Sequence, residues 1–500
     1  MKILLVYPKY PETFWSFTYA LKFISKKANL PPLGLLTVAA MLPADWELRL
    51  IDKNVKSLTD ADLRWADYVF LSAMSIQRGS TESVISRCKA LGVKMIAGGP
   101  LFTSVPEEFS SVDHLVLNEA EITLPLFLED LMRGRARHVY TSPQWANLSS
   151  TPIPRFDLLD KRKYASMSVQ YSRGCPFDCD FCNITVLFGR VPRTKDTEQI
   201  LAEFDALYNH GWRGGVFIVD DNFIGNKGKL KKEILPAIIE WMNRREHPFI
   251  LYTEVSINLS DDEELMNLMI RAGFDQVFVG IESPNEESLV ECSKLQNRNR
   301  DLIACVRKIQ QAGFEVQAGF IVGFDKDPDT IFERLIGFIQ ESGIVTAMVG
   351  LLNAPQGTKL YRRMKQEGRL LKTLTGDNTD FSINFIPKMS SESLLAGYRS
   401  ILHTIYSPKH YYARVKKFLI EYRPVEVRRN RLSLSHLMAA LKSIVRLGVI
   451  GRERFQYWKL FIWSLFMRPR LLPLAITYSI YGYHFRRVLK RHEKVRSLGA

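Results

Sequence analysis

Three of the six cysteines, Cys175, Cys179 and Cys182, lie within eight residues of one another, and the other three are scattered singly. A disulfide framework would spread its cysteines over many loops, so this spacing instead predicts a metal cluster on one loop. Thiolates separated by three and then two residues suit a single iron–sulfur cube. No fourth ligand lies nearby in the sequence, which would leave one iron of a 4Fe-4S cluster open, as a catalytic cluster requires.

Zinc binding and three unrelated cysteines are the alternatives. A structural zinc ion takes four ligands, and neither His210 nor any other histidine has a suitable spacing from the three cysteines. The N-terminal apolar run is stopped by Pro8 and is too short for a secretory signal, so we expect a first strand there. The cysteine usage favours a reducing, cytoplasmic location.

Strands and helices alternate on both sides of the cysteines, which predicts an α/β chain with two parallel sheets. Residues 1–140 are predicted to form a doubly wound sheet, 141–163 a linker, and 164–385 a partial (β/α)6 barrel. Residues 386–500 are predicted to be a basic helical region. The predicted strands are Lys2–Tyr7, Leu48–Asp52, Tyr68–Ala73, Lys94–Ala97 and His114–Leu117, then Met167–Tyr171, Gly215–Val219, Phe249–Val255, Gln276–Gly280, Glu315–Val322 and Val345–Leu351.

The C-terminal region has a strongly basic charge. Residues 411–500 hold 20 Lys and Arg against four acidic residues, whereas the whole chain has a net charge of +15. Between Phe455 and Phe485 the sequence is dense in aromatic and aliphatic residues but is too interrupted to span a bilayer. A helical cap on the barrel and a helix lying on an anionic membrane surface both fit this pattern, and they are compatible. No nucleic-acid-binding module is present, so no nucleic-acid partner is expected.

The cysteine spacing, with Phe181 directly before the last cysteine, resembles the radical S-adenosylmethionine (SAM) superfamily. In that superfamily the open iron of the cluster chelates SAM, whose reductive cleavage gives a 5′-deoxyadenosyl radical. The resemblance implies that side chains at the strand ends contact SAM. The residues at matching places are Phe181, Asp220, Asp221, Glu254, Ser256 and Glu282. Singly, each acidic residue would be better explained as a helix cap or a solvated side chain.

A parallel domain preceding such a barrel resembles the cobalamin-binding domain of the class B radical SAM enzymes. The resemblance places cobalamin at the carboxyl ends of the strands, against Ser72 and the run Gly98-Gly99-Pro100. The Asp-x-His-x-x-Gly loop that binds cobalt through its histidine in other cobalamin proteins is missing here. We therefore expect a cobalt without a histidine ligand. The alternative is a domain that kept the fold and lost the cofactor.

The order of the three regions resembles a subgroup that includes the hopanoid methylases. Segments Ala40–Asn54 and Thr59–Asp67 and the Arg468-Pro469-Arg470 run carry this resemblance. It implies methylation of an unactivated carbon on a small hydrophobic substrate, with a polycyclic or isoprenoid lipid as one candidate. It also implies an electron donor such as flavodoxin or ferredoxin and a cytoplasmic location, with peripheral contact to the inner membrane face as one option.

Three other functions compete with methylation. A radical cyclase of the porphyrin oxidative type is the alternative among enzymes, and a non-catalytic corrinoid-binding or lipid-binding protein is the alternative of another class. A methylthiotransferase would need three more cysteines in the N-terminal region, where only Cys88 is present.

Overall fold

The computed structural model describes residues 1–371, 375–377, 380–424 and 434–499, without the side chains of residues 434–435 and 493–499. Two parallel six-stranded sheets follow one another along the chain, and helices form the C-terminal region. The predicted α/β fold class is thereby confirmed. The predicted domain boundaries near residues 140, 163 and 385 stay predictions, because element positions do not show which segments fold independently.

The first sheet has the strand order β2-β1-β3-β4-β5-β6, as in doubly wound folds. All four central residues of β1, Ile3 to Val6, are fully buried, because helices cover both faces of the sheet. Its elements are β1 Lys2–Tyr7, α1 Thr18–Leu21, α2 Leu33–Met41, β2 Glu47–Asp52, α3 Asp60–Trp65, β3 Tyr68–Ser72, α4 Arg78–Ala90, β4 Lys94–Gly98, α5 Pro100–Ser104, β5 His114–Val116, α6 Ala120–Met132 and β6 Val139–Tyr140.

The sixth strand of this sheet was not predicted. The sequence indicated five strands, but Val139–Tyr140 pairs with β5 through Leu115 and Val116. A strand of two residues is too short to show the alternation by which a strand is recognised.

The second sheet has the order β14-β13-β12-β11-β10-β7 and forms the predicted six-stranded partial barrel. A separate antiparallel ribbon, β8 with β9, stands beside it. The elements are β7 Ser166–Val169, β8 Ser172–Arg173, α7 Ile184–Phe188, β9 Arg193–Thr194, α8 Thr197–Asn209, β10 Gly215–Ile218, α9 Lys227–Lys229, α10 Leu235–Arg244, β11 Ile250–Val255, α11 Glu263–Arg271, β12 Phe274–Glu282, α12 Glu286–Glu291, α13 Leu302–Ala312, β13 Glu315–Val322, α14 Ile331–Ser342, β14 Ala347–Leu351 and α15 Lys359–Gln366.

The segment 141–163, expected to be a linker, packs against its neighbours. Leu148, Phe156 and Leu159 are buried. The backbone N–H of Arg155 donates to the carbonyl of Leu36 in the first sheet's α2, at 3.1 Å. Short 3₁₀ turns rather than helices carry these contacts, which is why the segment lacks a periodic pattern in the sequence.

Within the described residues, five α-helices follow the barrel: α16 Ser391–Tyr406, α17 Pro408–Glu421, α18 Leu434–Ser443, α19 Arg454–Met467 and α20 Leu472–Gly499. Helix α16 covers the open edge of the barrel at β14. The hydroxyls of Tyr398 and Tyr406 donate to the carbonyls of Val349 and Ala347, at 3.0 and 2.6 Å. The helix thereby satisfies backbone groups that an uncovered edge strand would offer to another chain.

Helix α20 packs against the N-terminal segment of the chain. The rings of Phe14 and Phe485 are stacked with their centroids 4.0 Å apart. Burial lowers the pKa of His484 to about 4, so this ring is neutral at pH 7. Its Nε2 donates to the carbonyl of Phe14 at 2.9 Å, and its Nδ1 accepts from the N–H of Tyr19 at 3.4 Å.

The apolar stretch 455–485 therefore divides into two parts. Its second part, in α20, is a cap, since Tyr478, Ile480 and Phe485 are buried. Its first part, in α19, keeps an exposed face with Phe455 and Phe466. No helix in the described ranges combines the length and the apolar character that crossing a bilayer requires.

We predict that Gly482→Ala destabilises the cap, because a Cβ at this position in α20 would overlap the ring of Tyr411. Overpacking of this kind costs about 1–3 kcal/mol. The matched control is Gly337→Ala in α14, where nothing lies within 4 Å of the added Cβ. That change should stabilise the protein by roughly 0.5–1 kcal/mol. Thermal unfolding of the two variants measures both effects, and a Gly482→Ala variant at least as stable as the wild type would contradict this packing.

Candidate active site

The three cysteines lie on the loop between β8 and α7. Cys179 is buried, and Cys175 and Cys182 are partly buried. Gly174 precedes them with φ +93°, and a Cβ there would lie 3.0 Å from three backbone oxygens, those of Phe188, Gly189 and Val191. Only glycine fits this left-handed, crowded position. Gly174 therefore allows the cysteine loop to close against the end of α7.

Two aspartates after β10 hold the start of this loop. Both oxygens of Asp220 are engaged: one accepts from the N–H of Tyr171 at 2.8 Å and the other from the hydroxyl of Ser172 at 2.6 Å. Asp221 accepts from the N–H of Gly174 at 3.3 Å. The geometry gives Asp220 a positioning role beneath the cysteines, and its expected SAM contact stays a prediction.

Glu254, at the end of β11, forms an acidic group with these two aspartates. Burial raises the pKa of Asp220 to about 7 and that of Asp221 to about 6. Burial, together with repulsion from Asp221, raises the pKa of Glu254 to about 8. Within the described residues, no group donates a hydrogen bond to the Glu254 carboxylate. Three crowded carboxyls favour a cationic ligand, which would restore their charge.

Glu282 ends β12 in an unusual backbone conformation. Its φ is +65°, and the strand register shifts between Gly280 and Glu282. The Glu282 carboxylate pairs with the Lys294 ammonium at 2.8 Å. Gly280 leaves room for this pair, since a Cβ on residue 280 would lie 2.7 Å from the Lys294 Nζ. A left-handed non-glycine residue is costly and is concentrated at functional sites.

Lys294 is a residue that sequence reasoning missed. Burial opposes its charge, but Glu282 and the nearby Cys179 and Cys182 raise its pKa above the ordinary value. Its ammonium thereby places a positive charge beside the cysteine loop. A lone lysine in a helix–loop segment carries no signal in the sequence, which is why it was not identified.

Phe181 and Ser256 are also placed near the strand ends. The Phe181 ring lies 6.3 Å from that of Phe324, which follows β13. The Ser256 hydroxyl donates to Asn258 at 2.6 Å, and its N–H donates to the side chain of Asn222 at 3.2 Å. Asn222 thus joins the ends of β10 and β11. Like Lys294, it is a site residue that the sequence did not indicate.

Asn297 is a further candidate ligand contact. Its side-chain amide donates to the carbonyls of Gly280 and Ile281, at 3.0 and 2.9 Å. Its buried Oδ1 has no hydrogen-bond partner among the described residues. Buried polar atoms normally have one, so a hydroxyl or amine of a bound molecule would complete this site.

Cys179 and Cys182 line a cavity of about 200 Å³. Burial raises the pKa of all three loop thiols, to about 12 for Cys182, so iron would have to displace their protons. In the described part of the chain, no three His, Cys, Asp or Glu side chains converge as ligands of a single ion. Three thiols on one loop beside a buried ammonium fit an anionic iron–sulfur cube.

The residues expected to hold cobalamin meet at the carboxyl edge of the first sheet. Ser72 pairs with Gly98 in neighbouring strands, and Pro100 begins α5. Gly99 has φ +89°, and a Cβ there would lie 2.6 Å from the Ser72 hydroxyl. This close-packed glycine edge suits a flat ligand against the backbone. A larger cavity, about 420 Å³, lies beside β5 and β6, and none of these four residues lines it.

Four charged residues join this first sheet to the cysteine loop. Arg173 on β8 contacts both oxygens of Glu121, at 2.7 and 3.0 Å. Arg193 on β9 contacts both oxygens of Glu119, at 2.7 and 2.8 Å. The two carboxylates lie at the start of α6 and are at most 4% exposed. We call these four residues the interdomain clamp.

Three family models match the chain. Residues 23–128 match the B12 binding domain, residues 169–339 match the Radical SAM superfamily, and residues 358–497 match a domain of unknown function, DUF4070. The first two matches cover the glycine edge and the cysteine loop. The third covers most of the helical C-terminal region.

Among the relatives of this chain, two proteins match it over more than nine-tenths of its length. An uncharacterised methyltransferase of Synechocystis sp. is 41% identical over 97% of this chain and 91% of its own. The hopanoid C-2 methylase of Rhodopseudomonas palustris is 33% identical over 92% of this chain and 88% of its own. The radical SAM methyltransferase TsrM of Kitasatospora setae shares the fold, with a TM-score of 0.62 and 14% identity over 92% of this chain and 98% of that one.

With the cysteine loop, the glycine edge and these relatives, the chain belongs to the cobalamin-dependent radical SAM methyltransferases. Its cofactors are therefore a 4Fe-4S cluster, SAM and cobalamin, as the sequence predicted. The predicted resemblance to the hopanoid methylase subgroup is confirmed as well.

We predict that Glu254→Gln changes stability in a pH-dependent way. Because the folded pKa of Glu254, about 8, lies above its ordinary 4.5, its contribution is complete below about pH 4.5 and is lost as the pH rises through 8. The melting temperature of the variant apoprotein, compared with that of the wild type, should therefore rise as the pH increases from 5 to 9. Asp262→Asn is the control, since that carboxyl has a lowered pKa and its effect should be constant over this range. A constant Glu254→Gln difference would contradict the burial of this carboxyl.

We also predict that Arg173→Gln destabilises the protein by about 3–5 kcal/mol, because it leaves the buried Glu121 carboxylate without its cationic partner. The matched control is Arg155→Gln, which breaks an exposed ion pair with Asp157 and should cost about 0–1 kcal/mol. Denaturant unfolding measures the difference, and hydrogen exchange should locate the loosening at the start of α6. Equal effects of the two changes would show that the clamp does not hold the first sheet.

Proposed function

We propose that this enzyme methylates an unactivated carbon of a hydrophobic substrate, with a polycyclic or isoprenoid lipid as the favoured class. The observation that carries the proposal is the interdomain clamp, which fixes the cysteine loop against the sheet that ends in the glycine edge. Full-length similarity to a hopanoid C-2 methylase supports the substrate class. Neither observation favours a cyclase or a non-catalytic binding protein.

In this proposal, Cys175, Cys179 and Cys182 hold the cluster. When bound, the cluster and SAM would supply a radical that abstracts hydrogen from a substrate carbon, and cobalamin would supply the methyl carrier. The protein orients these groups and excludes water. Lys294, which is paired with Glu282, would place its ammonium beside the cluster, and Gly174 allows the loop to adopt the required turn.

The acidic group of Asp221 and Glu254 would bind the cationic part of SAM, with Ser256 beside them. Asp220 would support this contact from below, by fixing the backbone of Tyr171. Glu282 is already paired with Lys294, so we propose that it lies beside the cluster and holds the Lys294 ammonium in place. Phe181 would pack beside SAM from the cysteine loop.

Cobalamin would lie against Ser72, Gly98, Gly99 and Pro100. Both histidines in residues 1–140, His114 and His138, precede their strands' carboxyl ends and contact backbone carbonyls of Arg137 and Asp113. The glycine edge therefore offers no histidine ligand to the cobalt. Cobalamin held by these residues would supply a methyl carrier.

An anionic redox protein such as flavodoxin or ferredoxin would deliver the electrons. The cavity at Cys179 and Cys182 is lined by three basic side chains, Arg190, Lys359 and Arg362, and by one acidic side chain, Asp178, which pairs with Arg190 and Lys359. Such a basic lining favours an acidic donor protein. We place this chemistry in the reducing cytoplasm, at the inner face of the membrane where a lipid substrate would be found.

Anaerobic reconstitution tests the cluster assignment. Cys179→Ala should lose the cluster absorbance and the formation of 5′-deoxyadenosine from SAM. The control Cys305→Ala changes a partly exposed cysteine on α13 and should retain both. Wild-type protein that takes up no cluster would overturn the proposal.

Labelled SAM tests the reaction. The wild type would be incubated with cobalamin, a reductant, a bacterial lipid extract and SAM with a deuterated methyl group. The expected result is a lipid that carries the intact trideuterated methyl group on carbon. An unlabelled product with a new ring would instead identify a cyclase.

A further inference from the structure

Helices α18 and α19, with the π-helical turn Ile444–Val449 between them, form a hairpin with one strongly exposed apolar side. Of the 26 large apolar side chains exposed in the described residues, eleven lie within residues 437–467. Phe455 and Phe466 are 76% and 77% exposed. We call this set the hairpin surface: Leu437, Met438, Leu441, Val445, Val449, Ile450, Phe455, Ile462, Leu465, Phe466 and Met467.

The opposite side of the hairpin is joined to α20, where Glu453 pairs with Arg486 at 2.8 Å and the Arg446 guanidinium donates to the Tyr483 hydroxyl at 3.1 Å. Ser443, Leu447 and Leu460 are buried there. The hydroxyls of Ser443 and Tyr457 lie 2.9 Å apart, and the Trp458 indole donates to the carbonyl of Gly448 at 3.0 Å. Because these contacts hold the two halves of the hairpin together, the fold fixes the position of the hairpin surface. Exposed apolar patches of this kind mark interaction sites, whereas scattered exposed residues do not.

The charge around the hairpin surface indicates what it contacts. Residues 434–470 hold seven Lys and Arg and a single acidic residue, Glu453. Glu453 is buried and paired with Arg486 at 2.8 Å, so it does not offset the positive charge outside. Arg446, Arg452, Arg454 and Lys459 are exposed. Two copies of this surface would repel each other, whereas an anionic surface would attract it.

We propose that the hairpin surface docks on an anionic lipid bilayer, with its apolar side chains at the boundary between headgroups and acyl chains. This inference rests on the proposed function, because it brings the enzyme to the place where a hydrophobic substrate is dissolved. Amphipathic helices with basic flanks bind membranes in this way without crossing them. The hairpin differs from a free amphipathic helix because the fold holds it in place through α20.

Vesicle flotation of the full-length protein tests the proposal. The wild type should float with phosphatidylcholine vesicles that contain phosphatidylglycerol and much less with phosphatidylcholine alone. The Phe455→Ser, Phe466→Ser double variant should bind more weakly, by roughly tenfold or more for each side chain. Arg452→Gln with Arg454→Gln should lower the affinity about fivefold per charge and reduce the preference for anionic lipid.

The matched control is the Leu126→Ser, Met132→Ser double variant, which removes two exposed apolar side chains from α6. It should float like the wild type. Wild-type protein that does not float, or a control that loses binding equally, would overturn the proposal. Light scattering gives a further test. A dimeric wild type and a monomeric phenylalanine variant would also overturn the proposal, because the hairpin surface would then be a contact between two copies of the chain.

A methylation assay with detergent-dissolved substrate separates this inference from the proposed function. The phenylalanine variant should keep wild-type turnover there and lose turnover only on vesicle-bound substrate. Loss of vesicle binding with methylation intact supports the docking surface. Vesicle binding by a wild type that methylates no lipid would leave the docking surface standing and remove the proposed reaction.

Discussion

The interdomain clamp is the interaction on which the arrangement of this enzyme depends. Two arginines on the ribbon that brackets the cysteines each meet a carboxylate at the start of α6, with both contacts bidentate. Buried charges are tolerated only when they are paired with good geometry. The loop that would carry the cluster and the sheet that would carry cobalamin are therefore held in one relative position.

Electrostatics also organise the site within the barrel. Three carboxyls with raised pKa values gather at the ends of β10 and β11, while the buried ammonium of Lys294 lies beside the cysteine loop. A cationic ligand would restore the charge of the three carboxyls, and the Lys294 ammonium, which Glu282 also contacts, would lie beside an anionic cluster.

The sequence predicted the elements whose signals are local. Apolar strands such as Glu315–Val322 were predicted with the observed bounds, and the cysteine loop was predicted from its spacing alone. The clamp could not be predicted, because Glu119 and Arg193 are 74 residues apart and each looks like an ordinary surface charge. The ribbon and β6 have two residues per strand, too few for a period to appear.

The C-terminal region is a second place where the sequence could not predict contacts between distant residues. Composition indicated a basic, aromatic tail, but it could not separate the buried α20 from the exposed hairpin surface, since both contain similar residues. The tertiary contacts of α20, such as the packing of Phe485 on Phe14, distinguish the two. Tertiary contacts therefore decide which apolar residues form a cap and which remain available to a partner.

An anaerobic structure of the reconstituted protein with cobalamin and SAM tests the account most directly. The account predicts a cluster on Cys175, Cys179 and Cys182, SAM beside Asp221 and Glu254, and the corrin ring against Ser72 and Gly98–Pro100, with the interdomain clamp intact. A corrin ring bound elsewhere, or a cluster with other ligands, would contradict it.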